Sequence, residues 1–291
     1  MRFLTLLAVL AALAPAPSRA AAPPVRILAA ESMYADIARQ IAGPDAHVAA
    51  AIANPATDPH LFEAGPAVAR EIARADIVVA NGAGYDPWMD SLLGADARPR
   101  RVVLRVATLV HAPPGANPHL WYDPATMPAF ARALTAALVA RDPADRDGLR
   151  RREARVLASL AALRARVVAL RARLRGIPVA ATEPVFGYMA DALGLRMREA
   201  GFQRAVMNDT EPGPRQVAAF ERDLRTHAAR LLIYIRQATN DAARRLLAIA
   251  RAAGIPVLGV TETEPANTTY QVSCRFPLAG PVGPGGPRLV A

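Results

Sequence analysis

Two of the five histidines lie in nearly identical short motifs. His60 belongs to the segment DPHLF and His119 to the segment NPHLW, so each follows a proline and precedes a leucine and an aromatic residue. A proline fixes its own φ and stiffens the loop, which would hold each imidazole in place before a ligand arrives. Neutral imidazole is a common metal ligand, so the paired motifs predict a metal site. The other three histidines lack this setting and are predicted to be structural or surface residues: His47, His111 and His227.

Two carboxylates occupy matching places in the second half of the chain. Glu183 directly follows the apolar run IPVAAT, and Glu262 directly follows IPVLGVT. Ligands of open α/β sheets bind beyond the carboxyl ends of the strands, where all four candidate residues would lie. Two imidazoles and two carboxylates form a nitrogen and oxygen set suited to a divalent transition metal. Glu264, two residues further on, is an alternative to Glu262 as the fourth ligand.

Short apolar runs alternate with helical patterns in both halves of the chain. This alternation predicts an α/β fold with two lobes, each a parallel sheet flanked by helices. Asp123 is predicted to cap a helix that follows the second histidine motif. The predicted strands span residues 25–30, 47–52, 76–82 and 101–107 in the first half, and 177–182, 202–207, 230–235 and 255–261 in the second.

A long helical pattern separates the two predicted lobes. Its apolar residues form one stripe, with alternating steps of four and three from Val156 onward: Leu149, Val156, Leu160, Leu163, Val167, Leu170 and Leu174. Such a stripe could build a coiled-coil dimer, but lobes on either side favour a single helix packed along both. A helix of about thirty residues would span about 45 Å and join the lobes stiffly.

The N-terminus predicts export. Residues 1–20 begin with a positive charge at Arg2, followed by a short apolar run and then mostly small residues before the expected cleavage point, as in a secretory signal peptide. The predicted divisions that follow are an N-terminal metal-binding lobe at 23–143, the linker helix at 144–175, a C-terminal lobe at 176–271 and an atypical tail at 272–291. Cys274 is the only cysteine, so no internal disulfide is expected.

Composition excludes several functions. The net charge is +10, yet every basic residue is arginine, spread along helices among acidic residues, which favours solvated helix faces over a nucleic-acid surface. Without lysine there is neither a P-loop nor a Schiff-base amine. The sequence also lacks GxSxG and CxxC motifs.

Several segments resemble those of metal-binding substrate-binding proteins of zinc, manganese and iron ABC importers, the group with a rigid helical linker. The resemblance runs from about Val25 to Tyr270 and is carried by DPHLFEAGPAVAREIARADIVVANGAGYDPWMDSLL, NPHLWYDP, ATEPVFGYMADALGL and GIPVLGVTETEP. It implies capture of one divalent ion as cargo by His60, His119, Glu183 and Glu262. It also implies delivery to a separate membrane permease by a periplasmic, monomeric protein that is not itself inserted in the membrane.

The resemblance leaves the metal open among Mn²⁺, Zn²⁺ and Fe²⁺. Two carboxylates make a harder set than three histidines and shift the preference slightly toward manganese or iron, although zinc binds most such sites more tightly. An exported zinc hydrolase with two histidines and one carboxylate is the main alternative from another class, with Glu262 or Glu264 as general base. A surface adhesin is a third.

The proline- and glycine-rich tail departs from the family, which continues into a final helix. We expect this tail to be disordered, and a frameshift or truncation would explain it.

Overall fold

Strand and helix alternation produces two parallel four-stranded sheets in a computed structural model of the chain. The structure describes residues 23–208, 210–237 and 241–275, and the backbone of 282–283 and 286–287. Apolar residues such as Val78, Val79 and Ile233 are almost fully buried in the strands, as expected for sheets covered on both faces. The predicted α/β class with two lobes is confirmed. The predicted signal peptide lies outside the described residues.

The first lobe consists of β1 (Arg26–Glu31), α1 (Ser32–Ala42), β2 (His47–Ile52), α2 (Pro66–Arg74), β3 (Ile77–Ala80), α3 (Pro87–Ala95), β4 (Val102–Arg105), α4 (Val106–Leu109) and α5 (Thr126–Arg141). The strand order in its sheet is β2-β1-β3-β4. Strand β1 is central, with β2 on one side and β3 on the other, so the residue that ends β1 lies between the loops that follow its two neighbours.

Asp123 does not cap α5 as predicted. Helix α5 begins at Thr126 with Ala125 in the capping position. The Asp123 carboxylate instead accepts a hydrogen bond from the backbone N–H of Ala125 at 2.8 Å, an Asx turn that precedes the helix.

A single 29-residue helix, α6 (Arg146–Leu174), connects the lobes. Its predicted apolar stripe packs inward against α1 and α5 of the first lobe and against a helix of the second. Six of the seven stripe residues are buried, with Leu170 partly buried. The linker helix is therefore covered by both lobes of the same chain.

The second lobe consists of β5 (Pro178–Ala181), α7 (Gly187–Leu193), β6 (Arg196–Arg198), α8 (Ala200–Met207), α9 (Pro214–Arg225), β7 (Leu232–Ile235), α10 (Asp241–Ala252) and β8 (Val257–Val260), followed by α11 (Tyr270–Ser273). The strand order in its sheet is β6-β5-β7-β8. Each strand pair in this sheet is parallel.

The predicted strand at 202–207 is wrong, because these residues form helix α8. Short apolar runs cannot be assigned to strand or helix from their pattern alone. As a helix, the segment places Phe202 and Val206 on one face, against the core of the second lobe. Phe202 packs edge-on against Phe220 of α9 with ring centroids 4.9 Å apart. The edge strand of the sheet is instead the short β6.

The end of the described chain packs on the first lobe. Helix α11 includes the first two residues of the predicted tail, and the side chain of Cys274 is buried. Beyond residue 275 only two short antiparallel strands are described, β9 (Val282–Gly283) and β10 (Gly286–Pro287). Within the described residues, none of the helices has the length and apolar character to span a membrane.

Candidate metal site

His119 is held in a buried loop between α4 and α5. Its side chain has no solvent exposure, and its ring packs edge-on against Trp121 and Tyr85. The preceding carbonyl, Pro118 O, accepts a hydrogen bond from the Asn81 side chain at 2.8 Å. Since Asn81 directly follows β3, the sheet itself fixes the position of this loop.

Asn117 determines which nitrogen of His119 is available to a ligand. The Asn117 amide nitrogen donates to Pro184 O at 2.7 Å, which turns its Oδ1 atom toward the histidine. This oxygen accepts from the His119 backbone N–H at 3.1 Å and lies 2.6 Å from Nδ1. An amide oxygen only accepts, so Nδ1 carries a proton, and in the neutral imidazole the lone pair lies on Nε2. Histidine ligands of metals are oriented in the same manner by their second nitrogen.

Glu262 of the second lobe faces this lone pair. His119 Nε2 and Glu262 Oε2 lie 3.4 Å apart, and both side chains are almost completely buried. A proton or a metal cation between two such atoms, shielded from water, would stabilise their approach. The 3.4 Å distance brings an imidazole of the first lobe and a carboxylate of the second together.

Tyr85 holds the Glu262 carboxylate in place. Its hydroxyl donates to Glu262 Oε2 at 2.7 Å, across the cleft from a loop of the first lobe. Burial raises the pKa of Tyr85 well above its ordinary value, and the nearby carboxylates Glu262 and Glu31 raise it further. The phenol therefore remains a hydrogen-bond donor at neutral pH.

Glu183 lies at the carboxyl end of β5 and is buried. The next residue, Pro184, accepts the hydrogen bond from Asn117, and Tyr188 donates to Asn117 O at 2.8 Å. Glu183 therefore directly precedes the residue whose carbonyl holds Asn117, and Asn117 in turn orients the His119 ring.

His60 lies in a short 3₁₀ turn, Pro59–Leu61, and its side chain is outside the described part of the structure. The loop before it contacts the second lobe, because Thr263 and Gln237 both donate to Pro55 O, at 3.0 and 3.2 Å. Among the side chains that are described, no group of three or more His, Cys, Asp or Glu is arranged to hold a metal ion. The full four-residue set therefore stays a prediction.

Glu264, the alternative fourth ligand, points elsewhere. Its backbone N–H donates to Ser32 Oγ at 2.8 Å. Burial, together with the nearby carboxylate of Asp36 on α1 and against the opposing charge of Arg39, raises the pKa of its carboxyl to about 8. Its environment is thus helix α1, whereas Glu262 contacts His119.

Sequence reasoning missed three residues that shape the site: Asn117, Tyr85 and Gln237. Asn117 and Tyr85 stand within the motif segments, but no residue pattern connects Tyr85 with a partner 177 positions later. Gln237 accepts a hydrogen bond from the Glu262 backbone N–H at 3.4 Å. It follows strand β7, and this position beyond the carboxyl end of a strand could have indicated it as a site residue. The remaining histidines, His47, His111 and His227, are exposed.

Comparison with known structures shows the same fold. The periplasmic zinc-binding protein TroA from Treponema pallidum superposes with a TM-score of 0.73 at 19% identity, covering 86% of this chain and 95% of that one. A crystal structure of ZnuA gives 0.72 at 19% identity, covering 87% and 96%. FpvC from Pseudomonas aeruginosa in complex with Mn²⁺ gives 0.69 at 20% identity, covering 86% and 94%.

A family model extends this likeness to the sequence. The model for ZnuA, the periplasmic component A of the zinc-uptake complex, matches residues 27–276, which include both lobes, the linker helix and the four candidate ligands. The chain therefore belongs to the ZnuA family, and its function is periplasmic capture of a divalent metal ion for an ABC importer rather than catalysis.

Proposed function

We propose that the chain binds one divalent ion, Mn²⁺, Zn²⁺ or Fe²⁺, between its lobes through His60, His119, Glu183 and Glu262. The contact that carries the proposal is His119 Nε2 facing Glu262 Oε2 at 3.4 Å. Because Asn117 occupies Nδ1, the lone pair of Nε2 is directed at the other lobe. A cation at this position would compensate both acceptors and link the lobes.

The proposed ligand set favours manganese or iron slightly over zinc. Two carboxylates supply hard oxygen donors, which manganese and iron prefer, whereas zinc also binds well to nitrogen and sulfur ligands. The Irving–Williams order still gives zinc the higher intrinsic affinity, so supply in the periplasm would decide the bound ion. Elemental analysis of protein purified without chelators from its own periplasm tests this preference.

We further propose that the protein is an exported monomer that docks on a separate permease. Residues 1–20 would be its export signal. The lobe bounds would be 23–143 and 176–271, joined by 144–175. The stripe of α6 supports a monomer, because the residues that could form a coiled coil are covered by the lobes of the same chain.

Metal titration of wild type, His60→Ala and His119→Ala tests the site. Each substitution should weaken binding more than about 100-fold, since losing a ligand exceeds the usual effect of losing an outer partner. His47→Ala, which removes an exposed histidine, should bind like wild type. Ion at 100 times its Kd should stabilise wild type by about 2.7 kcal/mol, which raises Tm by about 5–10 °C. Unchanged melting with excess Mn²⁺ and Zn²⁺ would refute the proposal.

A further inference from the structure

Glu31 is a buried carboxyl that the described structure leaves without a hydrogen-bond partner. It ends β1, has no solvent exposure, and neither of its carboxyl oxygens has a hydrogen-bond partner in any other described residue. Buried polar groups are nearly always paired, and an unpaired buried carboxyl is costly unless a cation lies near it.

The polar side chains near Glu31 form their hydrogen bonds with other residues. Asp86, a second buried carboxylate nearby, accepts from the backbone N–H groups of Asn81 and Gly82 at 2.7 and 2.8 Å. Tyr34, the nearest phenol on α1, donates to Asn81 Oδ1 at 2.6 Å and not to Glu31. The described side chains around Glu31 thus bond to other groups.

The place of Glu31 in the fold directs it toward the cleft. Strand β1 lies between β2 and β3, so Glu31 leaves the sheet between the loop that carries His60 and the loop that carries Tyr85. The next residue, Ser32, contacts the second lobe by accepting the hydrogen bond from Glu264 N. Tyr85, in the loop that follows the neighbouring strand β3, donates to Glu262 of the second lobe at 2.7 Å.

We propose that Glu31 is a further acidic residue of the metal site, which faces the captured cation from the end of β1 and favours Mn²⁺ over Zn²⁺. This inference rests on the proposed function. Glu31 would be the fifth side chain of the site and its third carboxylate. Such a set suits an ion that prefers oxygen ligands and a higher coordination number, whereas four ligands are sufficient for zinc. In the absence of a cation, burial and the neighbouring Asp86 raise the pKa of Glu31 well above its ordinary value.

The test is calorimetric titration of wild type and Glu31→Gln with Mn²⁺ and with Zn²⁺. The variant should lose about 10- to 100-fold in Mn²⁺ affinity and less in Zn²⁺ affinity. Glu264→Gln is the matched control, because it neutralises another buried carboxyl that faces α1 instead. Its affinities should equal those of wild type. Equal losses for the two ions, or no loss, in Glu31→Gln would overturn the proposal.

A second measurement separates a ligand role from a structural one. Without metal, Glu31→Gln should melt no lower than wild type, because no hydrogen bond of the described residues is lost. Failure to fold, or a markedly lower Tm in the metal-free state, would make Glu31 structural and overturn the proposal. If wild type binds metal while Glu31→Gln is unchanged, only this inference fails; if wild type binds neither ion, the proposed function fails with it.

Discussion

Replacing Asn117 tests whether the side chain that orients His119 controls metal affinity. Asn117→Ala removes the acceptor for Nδ1–H and the donor to Pro184 O. The imidazole can then carry its proton on Nε2 and donate it to Glu262, 3.4 Å away, which occupies the position expected for the metal. Metal must displace that proton, so binding should weaken.

The size of the effect follows from these contacts. Loss of an outer partner of a ligating histidine typically costs about 10- to 100-fold in affinity, which corresponds to about 1.4–2.8 kcal/mol. The free energy of unfolding without metal should also fall by roughly 3 kcal/mol, because Pro184 O and the two His119 N–H groups lose their partner.

Asn117→Asp is the matched variant. It has the same shape and retains an acceptor for Nδ1–H, so the lone pair of His119 stays on Nε2. Only the bond to Pro184 O is lost. In calorimetric titrations with Zn²⁺ at pH 7, Asn117→Asp should bind nearly as tightly as wild type while Asn117→Ala binds weakly. Wild-type affinity in Asn117→Ala, or equal weakening in both variants, would refute the orienting role.

Two further pairs of substitutions test the scaffold. In the linker helix, Leu160→Ala should lower the free energy of unfolding by about 2–5 kcal/mol, because Leu160 is buried in the hydrophobic core. Val168→Ala, at a side chain that is 62% exposed, should change it by less than about 0.5 kcal/mol in urea titrations. A large effect at Val168 would instead indicate a partner on the outer face of α6. In the second lobe, hydrogen bonds from Arg198 lower the pKa of Asp223 below its ordinary value, so this pair stabilises the fold above about pH 4 and the stability is lost as pH falls. Asp223→Asn should therefore cost about 1.5–3 kcal/mol at pH 7 and progressively less as the pH falls below about 4. The exposed Asp241→Asn should cost little at any pH. A cost of Asp223→Asn that does not change with pH would contradict this reasoning.

The sequence carried most of the architecture because each element has a local cause. Alternating apolar runs and helical patterns predicted both parallel sheets, and the stripe from Leu149 to Leu174 predicted α6. The segment at 202–207 failed because its strand or helix state depends on Phe202 packing against Phe220, a contact between different elements. Asp123 failed as a cap because its loop closes an Asx turn before the helix begins.

For the candidate site as well, some features follow from the sequence and others only from the tertiary structure. Residue type and position after a strand nominated the four candidate ligands, because chain order fixes which residues follow the carboxyl ends of parallel strands. The candidates are His60, His119, Glu183 and Glu262, and as a metal site they remain a prediction. Only the tertiary structure decided that Glu262 rather than Glu264 faces His119, that Asn117 turns the imidazole, and that Glu31 lacks a partner. These facts depend on distances between residues far apart in the chain, and such distances are set by how the two lobes pack along α6.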